Sequence, residues 1–312
     1  MKVLLTGSRG FTGPYVRAML EHAGHTVVGG VFDPLPDQAL ADDEVLLDIV
    51  DRDACRRIVD ALRPDVIVHL AGIAFAAEQR VDPYYRVNVA GTEHLLRACL
   101  DVGHRPHKIV LVSSSMVYGT PAPDRIELDE SAPLAPANHY AISKVAMEMI
   151  ARTYFDRLPI LIARPFNYIG RGQGIQFVTA KIVDHFVRRA PVIELGNIDV
   201  ARDFSDVRDI AQAYVGLVES DAAGEVVNLC SGRAYPLQYV LDTLRAITGH
   251  AIEVRVNPAF VRANDPKLVR GSTERLDRLI GARTLHHIDA TLEWMVEAEP
   301  RIARLAPLPA VA

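Results

Sequence analysis

The segment Tyr140-Ala141-Ile142-Ser143-Lys144 sets a phenol and an ammonium four residues apart. On a helix that spacing places them one above the other on a single face. A cation there favours phenolate and draws the phenol down from its ordinary value of about 10, making it a usable acid or base. Such a pair alone is common on helix surfaces. Its weight comes from Ser114, which follows the run Lys108–Ser113 at the end where a parallel sheet places its active site. A hydroxyl there can orient a carbonyl oxygen for Tyr140.

A second chemistry is written at the start of the chain. Gly7-Ser8-Arg9-Gly10-Phe11-Thr12-Gly13 follows the first apolar run and opens an amphipathic stretch. Gly7, Gly10 and Gly13 let the loop turn tightly and bring backbone N–H groups and a helix N-terminus to a pyrophosphate. Dinucleotide binding follows, with Phe11 part of the same loop. An acidic residue about 20 positions on reads the adenosine ribose, and Asp33 stands there. Arg9 could equally pair with a 2′-phosphate, so NADPH and NADH both remain open. Asp48, with Ile49 beside it, is placed to meet adenine, a solvated loop carboxylate being the plain alternative.

These groups need a scaffold. Strands are expected at Lys2–Leu5, Thr26–Val31, Glu44–Leu47, Val66–Leu70, Lys108–Ser113 and Pro159–Ala163, with helices at Pro14–Ala23, about Asp82–Val102 and about His139–Phe155. Strands alternating with helices give an α/β fold, a doubly wound parallel (Rossmann) sheet with ligands outside the strands' carboxyl ends. After Pro165 the alternation breaks into isolated elements at Phe177–Arg189, Val207–Glu219, Val226–Cys230 and Leu237–Thr248. The expected division is a dinucleotide-binding domain over 1–165 to which 206–232 returns, a smaller, discontinuous α/β substrate-binding lobe over 166–205 and 233–304, and a tail over 305–312.

Composition narrows the partners. The 312 residues are 49% hydrophobic and 23% charged, enough for a sizeable core, with a formal charge of -5 and no basic block for nucleic acid. The first residues read as a strand and not as a signal peptide, and no apolar run approaches the roughly 20 residues of a membrane span. Cys55, Cys99 and Cys230 are too few and scattered for a disulfide framework, which points to a reducing, cytoplasmic setting. His286-His287 and His104-x-x-His107 lack further ligands at metal spacing, so no metal is expected. Cys55, Cys99 and His69 fit core positions better than nucleophile or catalytic roles.

Taken in order, Gly7-x-x-Gly10-x-x-Gly13, His69-Leu70-Ala71-Gly72, Asn88-Val89-Ala90-Gly91-Thr92, Ser113-Ser114-Ser115-Met116-Val117-Tyr118-Gly119, Tyr140-x-x-x-Lys144 and Arg164-Pro165-Phe166-Asn167 resemble the extended short-chain dehydrogenase/reductase family of nucleotide-sugar enzymes. The resemblance spans nearly the whole chain. It implies Ser114, Tyr140 and Lys144 as catalytic, with Lys144 also holding the nicotinamide ribose. Ala71 and Gly72 match the loop under the cofactor, and Asn88 a motif that braces the central strands. It also implies a homodimer built on the helices around Val87–Cys99 and Ala146–Ala151.

Within that family, Gly196–Phe204, Arg262-Ala263-Asn264-Asp265 and Val269-Arg270-Gly271-Ser272 are most similar to GDP-4-keto-6-deoxy-D-mannose reductases, which form GDP-D-rhamnose. The similarity implies that Asn167, Arg202 and Arg262 hold the diphosphate of a GDP-sugar, with Arg270 a further candidate, and Asp265 its ribose. Guanidinium groups suit a diphosphate and a carboxylate suits a diol. A surface ion pair between Arg202 and Asp203 is the plain alternative. Related 4,6-dehydratases carry an acidic pair where this chain has Ser115 and Met116, and GDP-fucose synthases a Cys where it has Met116. Simple 4-keto reduction is the leading expectation. A nucleotide-sugar 4-epimerase, which shares the same three catalytic residues, and a non-catalytic nucleotide-sensing protein are the alternatives.

Overall fold

The computed structural model describes residues 1–32, 39–74, 80–121, 127–261 and 266–297. Six apolar runs form β1 (Lys2–Thr6), β2 (Thr26–Val31), β3 (Glu44–Leu46), β4 (Val66–His69), β5 (Lys108–Val112) and β6 (Ile160–Pro165). With a seventh strand, Glu225–Leu229, they make one parallel sheet in the order seventh-β6-β5-β4-β1-β2-β3. Val3, Leu4, Leu5, Val66, Ile67, Val68, Ile109, Val110 and Leu111 are all fully buried. Strands covered on both faces read as continuous apolar runs, which is why the sequence reveals them.

Helices α1 (Gly13–His22), α2 (Arg52–Leu62), α3 (Thr92–Asp101) and α4 (His139–Arg152) connect the strands. Leu4, Ile67 and Ile109 pack against Cys55 of α2, Leu95 and Cys99 of α3 and Met147 of α4 on one face, whereas Val3, Leu5 and Val68 meet Val16 and Leu20 of α1 on the other. The helix expected over 82–102 is divided: a π-helical turn, Tyr84–Gly91, runs into α3. α2 lies outside the expected helices, because nearly half of its residues are charged and only Ala54, Cys55 and Val59 are buried. Its readable signal is Asp51, whose carboxylate caps the amides of Asp53 and Ala54.

Beyond β6 come β7 (Asn167–Ile169), α5 (Val178–Val187), β8 (Val192–Leu195), β9 (Ala201–Asp206), α6 (Val207–Glu219), β10 (the seventh strand, Glu225–Leu229), β11 (Ala234–Pro236), α7 (Leu237–Thr248), β12 (Glu253–Val256), β13 (Leu268–Val269), α8 (Glu274–Ile280) and α9 (Ile288–Glu297). α6 and α8 complete the cover over the α1 face of the main sheet. β9 is central to a small second sheet, flanked by β7, β11 and β13, and β8 pairs with β12. α5, α7 and α9 share a separate apolar cluster with Ile193 and Phe204. Among the described residues, no helix is long and apolar enough to cross a membrane.

Candidate active site

In the main sheet β1 has β2 on one side and β4 on the other, so the chain reverses direction between β1 and β4. A crevice opens at the carboxyl ends of such a pair. The loops after β1 and β4 meet there: a Cβ on Gly7, whose φ is +69°, would lie 2.8 Å from the amide nitrogen of Ala71. Gly7 and Ser8 both donate to the carbonyl of Gly30 on β2, while Gly10 and Gly13 close turns onto Gly7 and Gly10. The amides of Phe11 and Thr12 have no protein acceptor among the described residues, and α1 has neither a side-chain cap nor an acidic residue in its first turn. Unfilled donors at a helix N-terminus, with no competing carboxylate, fit a pyrophosphate.

Two loop residues are more committed than their positions imply. The Phe11 ring stacks on Tyr168, with centroids 5.8 Å apart, leaving its backbone for a ligand. Arg9 grips Glu44 of β3 in a fork, Nε–Oε1 at 3.0 Å and Nη2–Oε2 at 2.5 Å, and also donates to the Ala39 carbonyl. That contact holds the Glu44 carboxyl below its usual range, the Arg9 hydrogen bond leading. Asp48 accepts from the amide of Val50 in the turn after β3, and Ile49 is core, packed in the cluster beneath α2. Asp33 lies outside the described residues.

The loop after β4 is held from below. His69 accepts from the Thr6 hydroxyl at Nδ1 (2.8 Å) and donates from Nε2 to Thr92 (3.0 Å), a tautomer set by Thr92 donating onward to the Asn88 carbonyl and by Thr6 accepting from the Ala71 amide. Burial pushes the imidazole down to about 3, so it stays neutral and structural. The Asn88 side chain works on the loop after β4. It accepts from the Ile73 amide and donates to the Ser143 hydroxyl, which in turn donates to the Tyr140 carbonyl, joining the loop to α4.

Ser114, Tyr140 and Lys144 come together as the spacing implies. Asn138 caps α4 through the Ala141 amide and so places Tyr140 in the first turn. All three side chains are buried. The Lys144 ammonium donates to the Val112 carbonyl at 2.8 Å, and a Cβ on Gly72 would come within 3.3 Å of it. The expected lowering of Tyr140 is not what the protein alone imposes. Burial pushes the phenol up to about 12, with the Ser114 hydroxyl pulling the other way, and pushes Lys144 down to about 8. Both groups have lost their hydration, which disfavours the charged form of each. A phenol so placed is protonated at neutral pH and serves as a proton donor.

The residues expected to hold the sugar nucleotide are partly placed. Register puts Asn167 opposite Phe204 on β9, and Arg202 stands two residues earlier, so both belong to one face of the small sheet. Arg202 donates to the carbonyls of Ala201 and Pro266. Arg270 forms an ion pair with Glu127 at 3.0 Å. Arg262 and Asp265 lie outside the described residues. Asp203 is no surface partner of Arg202: it is 1% exposed and accepts from the amides of Ser231, Gly232 and Gly271 and from the Ser231 hydroxyl. Three residues near the loops escaped the sequence reading: Glu44; Tyr168, whose hydroxyl meets Thr12 at 2.8 Å; and Glu148, a carboxylate on the buried face of α4 whose i+4 distance from Lys144 was the available signal.

A nicotinamide-dinucleotide fold carrying a Ser, Tyr and Lys constellation defines the class. Residues 3–230 match the NAD dependent epimerase/dehydratase family, and the chain belongs to it. It is 32% identical over 281 residues to the GDP-6-deoxy-D-talose 4-dehydrogenase of Aggregatibacter actinomycetemcomitans, covering 90% of this chain and 92% of that one. To the GDP-6-deoxy-D-mannose reductase of Pseudomonas aeruginosa it is 33% identical over 289 residues, covering 90% and 91%. The structure of RMD from Pseudomonas aeruginosa complexed with NADPH superposes with a TM-score of 0.82 at 30% identity, covering 95% of this chain and 97% of that one. The chain is therefore an NAD(P)-dependent enzyme of nucleotide-sugar chemistry.

Proposed function

We propose that this enzyme reduces the 4-keto group of a GDP-4-keto-6-deoxy sugar, converting GDP-4-keto-6-deoxy-D-mannose to GDP-D-rhamnose. The observation that carries this reading is the Ser114, Tyr140 and Lys144 constellation, buried together at the carboxyl end of β5, in a chain matched over 90% of its length to enzymes of GDP-6-deoxy sugars. The GDP-sugar assignment is supported by the two relatives, both enzymes of GDP-6-deoxy sugars by name and both matched over 90% of this chain. The reduced nicotinamide, when bound, supplies the hydride that reaches C4. Ser114 orients the 4-oxygen by hydrogen bonding, and Tyr140 delivers its phenolic proton to that oxygen. Lys144 places its ammonium beside the carbonyl end of β5 and against Gly72, where a nicotinamide ribose would be held. Asn167, Arg202, Arg262 and Arg270 hold the diphosphate, and Asp265 the ribose. The working form in this reading is a cytoplasmic homodimer.

The test is incubation with GDP-4-keto-6-deoxy-D-mannose and either NADPH or NADH. Stoichiometric loss of nicotinamide absorbance is expected, and NMR of the product separates GDP-D-rhamnose from its talose epimer. Interconversion of two ordinary sugar nucleotides without added reductant, with cofactor that survives gel filtration, would replace the reductase by a 4-epimerase. Calorimetry should also rank GDP above UDP and dTDP; equal or weaker binding of GDP removes the GDP-sugar assignment.

A further inference from the structure

Glu148 lies one helical turn beyond Lys144 on α4 and is 0% exposed. Its neighbours on that face, Met147 and Ala151, are core residues. A carboxylate in such a place is strongly unfavourable unless it is paired and hydrogen-bonded. Arg164 of β6, itself 2% exposed, donates Nε to Oε1 at 2.8 Å and Nη2 to Oε2 at 2.6 Å. The Ser113 hydroxyl adds a third bond, to Oε1 at 2.5 Å. Ser113 directly precedes Ser114, so one carboxylate ties the end of β5 to the helix that carries Tyr140 and Lys144.

An apolar pair of the same volume would fill this space at no cost in desolvation, so packing alone does not call for a carboxylate here. Burial drives the Lys144 ammonium towards its neutral form, and Glu148 is the charge that opposes this. The elements packed against α4 supply other groups. They are Tyr84, Tyr85 and Arg86 on the π-helical turn, Tyr118 on the turn after Ser114, and Glu93, His94, Arg97 and Asp101 on α3. His69 also senses Lys144, and Tyr140 shares its helix. Of the carboxylates among them, Glu93 is bonded to Tyr154, beyond the far end of α4, and Asp101 to Arg52 and Arg97.

We infer that Glu148 is a positioning residue of this site, its carboxylate locking the Ser113–Ser114 end of β5 onto α4 and standing one helical turn from Lys144 as its counter-charge. The inference rests on the reading of Ser114, Tyr140 and Lys144 as the catalytic groups. The test uses the full-length enzyme with Glu148→Gln, Glu148→Asp and the paired variant Glu148→Leu/Arg164→Met, following kcat/KM against pH, kcat, KM and melting temperature. In the wild type the alkaline limb should fall near pH 8; in Glu148→Gln it should move down by about one unit, the size of shift an adjacent charge produces, and in the paired variant, which removes the Arg164 cation with the carboxylate, in the same direction by less. At pH 7, kcat should drop about twofold from the lost charge alone and further where the Ser114 end of β5 loosens, with KM for the sugar nucleotide held within twofold, and Glu148→Asp should regain part of the loss. Calorimetric affinity for NADH or NADPH across the same pH range should shift in step with the limb.

A limb that stays in place while melting temperature falls makes Glu148 structural only and overturns the inference. Should Glu148→Gln fail to fold around an unpaired Arg164, the paired variant, which leaves no lone charge in the core, decides. Lys144→Met and Tyr140→Phe separate the two levels. Their loss of activity beside an unmoved limb in the Glu148 variants removes this inference alone, whereas wild-type activity in both removes the catalytic reading itself.

Discussion

Tyr140 shows what burial does to an acid. A phenol raised to about 12 holds its proton more firmly than a free one, and in the proposed reduction it gives that proton to the 4-oxygen as charge develops there. Replacing Tyr140 by Phe keeps the ring and removes the proton, so turnover in the reductive direction should fall by about 100-fold or more with substrate binding nearly unchanged. A variant that keeps wild-type turnover would make Tyr140 a packing residue. The three catalytic candidates were legible because their spacing on one helix and one strand end fixes their meeting. The electrostatic outcome was not. Spacing places a cation on the same helix face, but how far lost hydration raises the phenol depends on a depth of burial that the Tyr140–Lys144 segment does not reveal.

At the scale of elements, the sheet was readable because its strands are buried on both faces, whereas α2 and the short strands of the second sheet were not. β7, β11 and β13 have two or three residues each and take their register from β9 rather than from any apolar period. β3 carries a subtler consequence. Its first residue, Glu44, engages the Arg9 that the glycine loop would otherwise offer to a 2′-phosphate. Glu44→Gln exchanges a charge-assisted fork for a neutral contact, so affinity for NADPH relative to NADH should rise by about tenfold, as one such bond implies. Calorimetry with the two cofactors measures the ratio. An unchanged ratio would mean that Arg9 does not meet the adenosine ribose, and Arg9→Ala would then leave both affinities alone.

At the scale of the whole molecule, the buried polar groups join layers that apolar packing alone would let slide. Asp203 gathers the segments around Ser231 and Gly271 onto β9, and the chain Arg164–Tyr118–Asn228 crosses from β6 to β10. His69 does the same between β1, β4 and α3, and it links the fold to pH. Its folded value of about 3 lies below the ordinary 6.5, so between those values the unfolded chain binds a proton that the native one refuses. The free energy of unfolding therefore falls as pH drops through about 6.5, and this one group should remove about 2 kcal/mol between pH 7 and pH 5. Urea unfolding followed through Trp294, the chain's single tryptophan, measures the slope. His69→Asn removes the titrating group, and its stability should depend on pH less steeply by that amount. Equal slopes in the two proteins would place the acid sensitivity in other groups and leave His69 without a part in it.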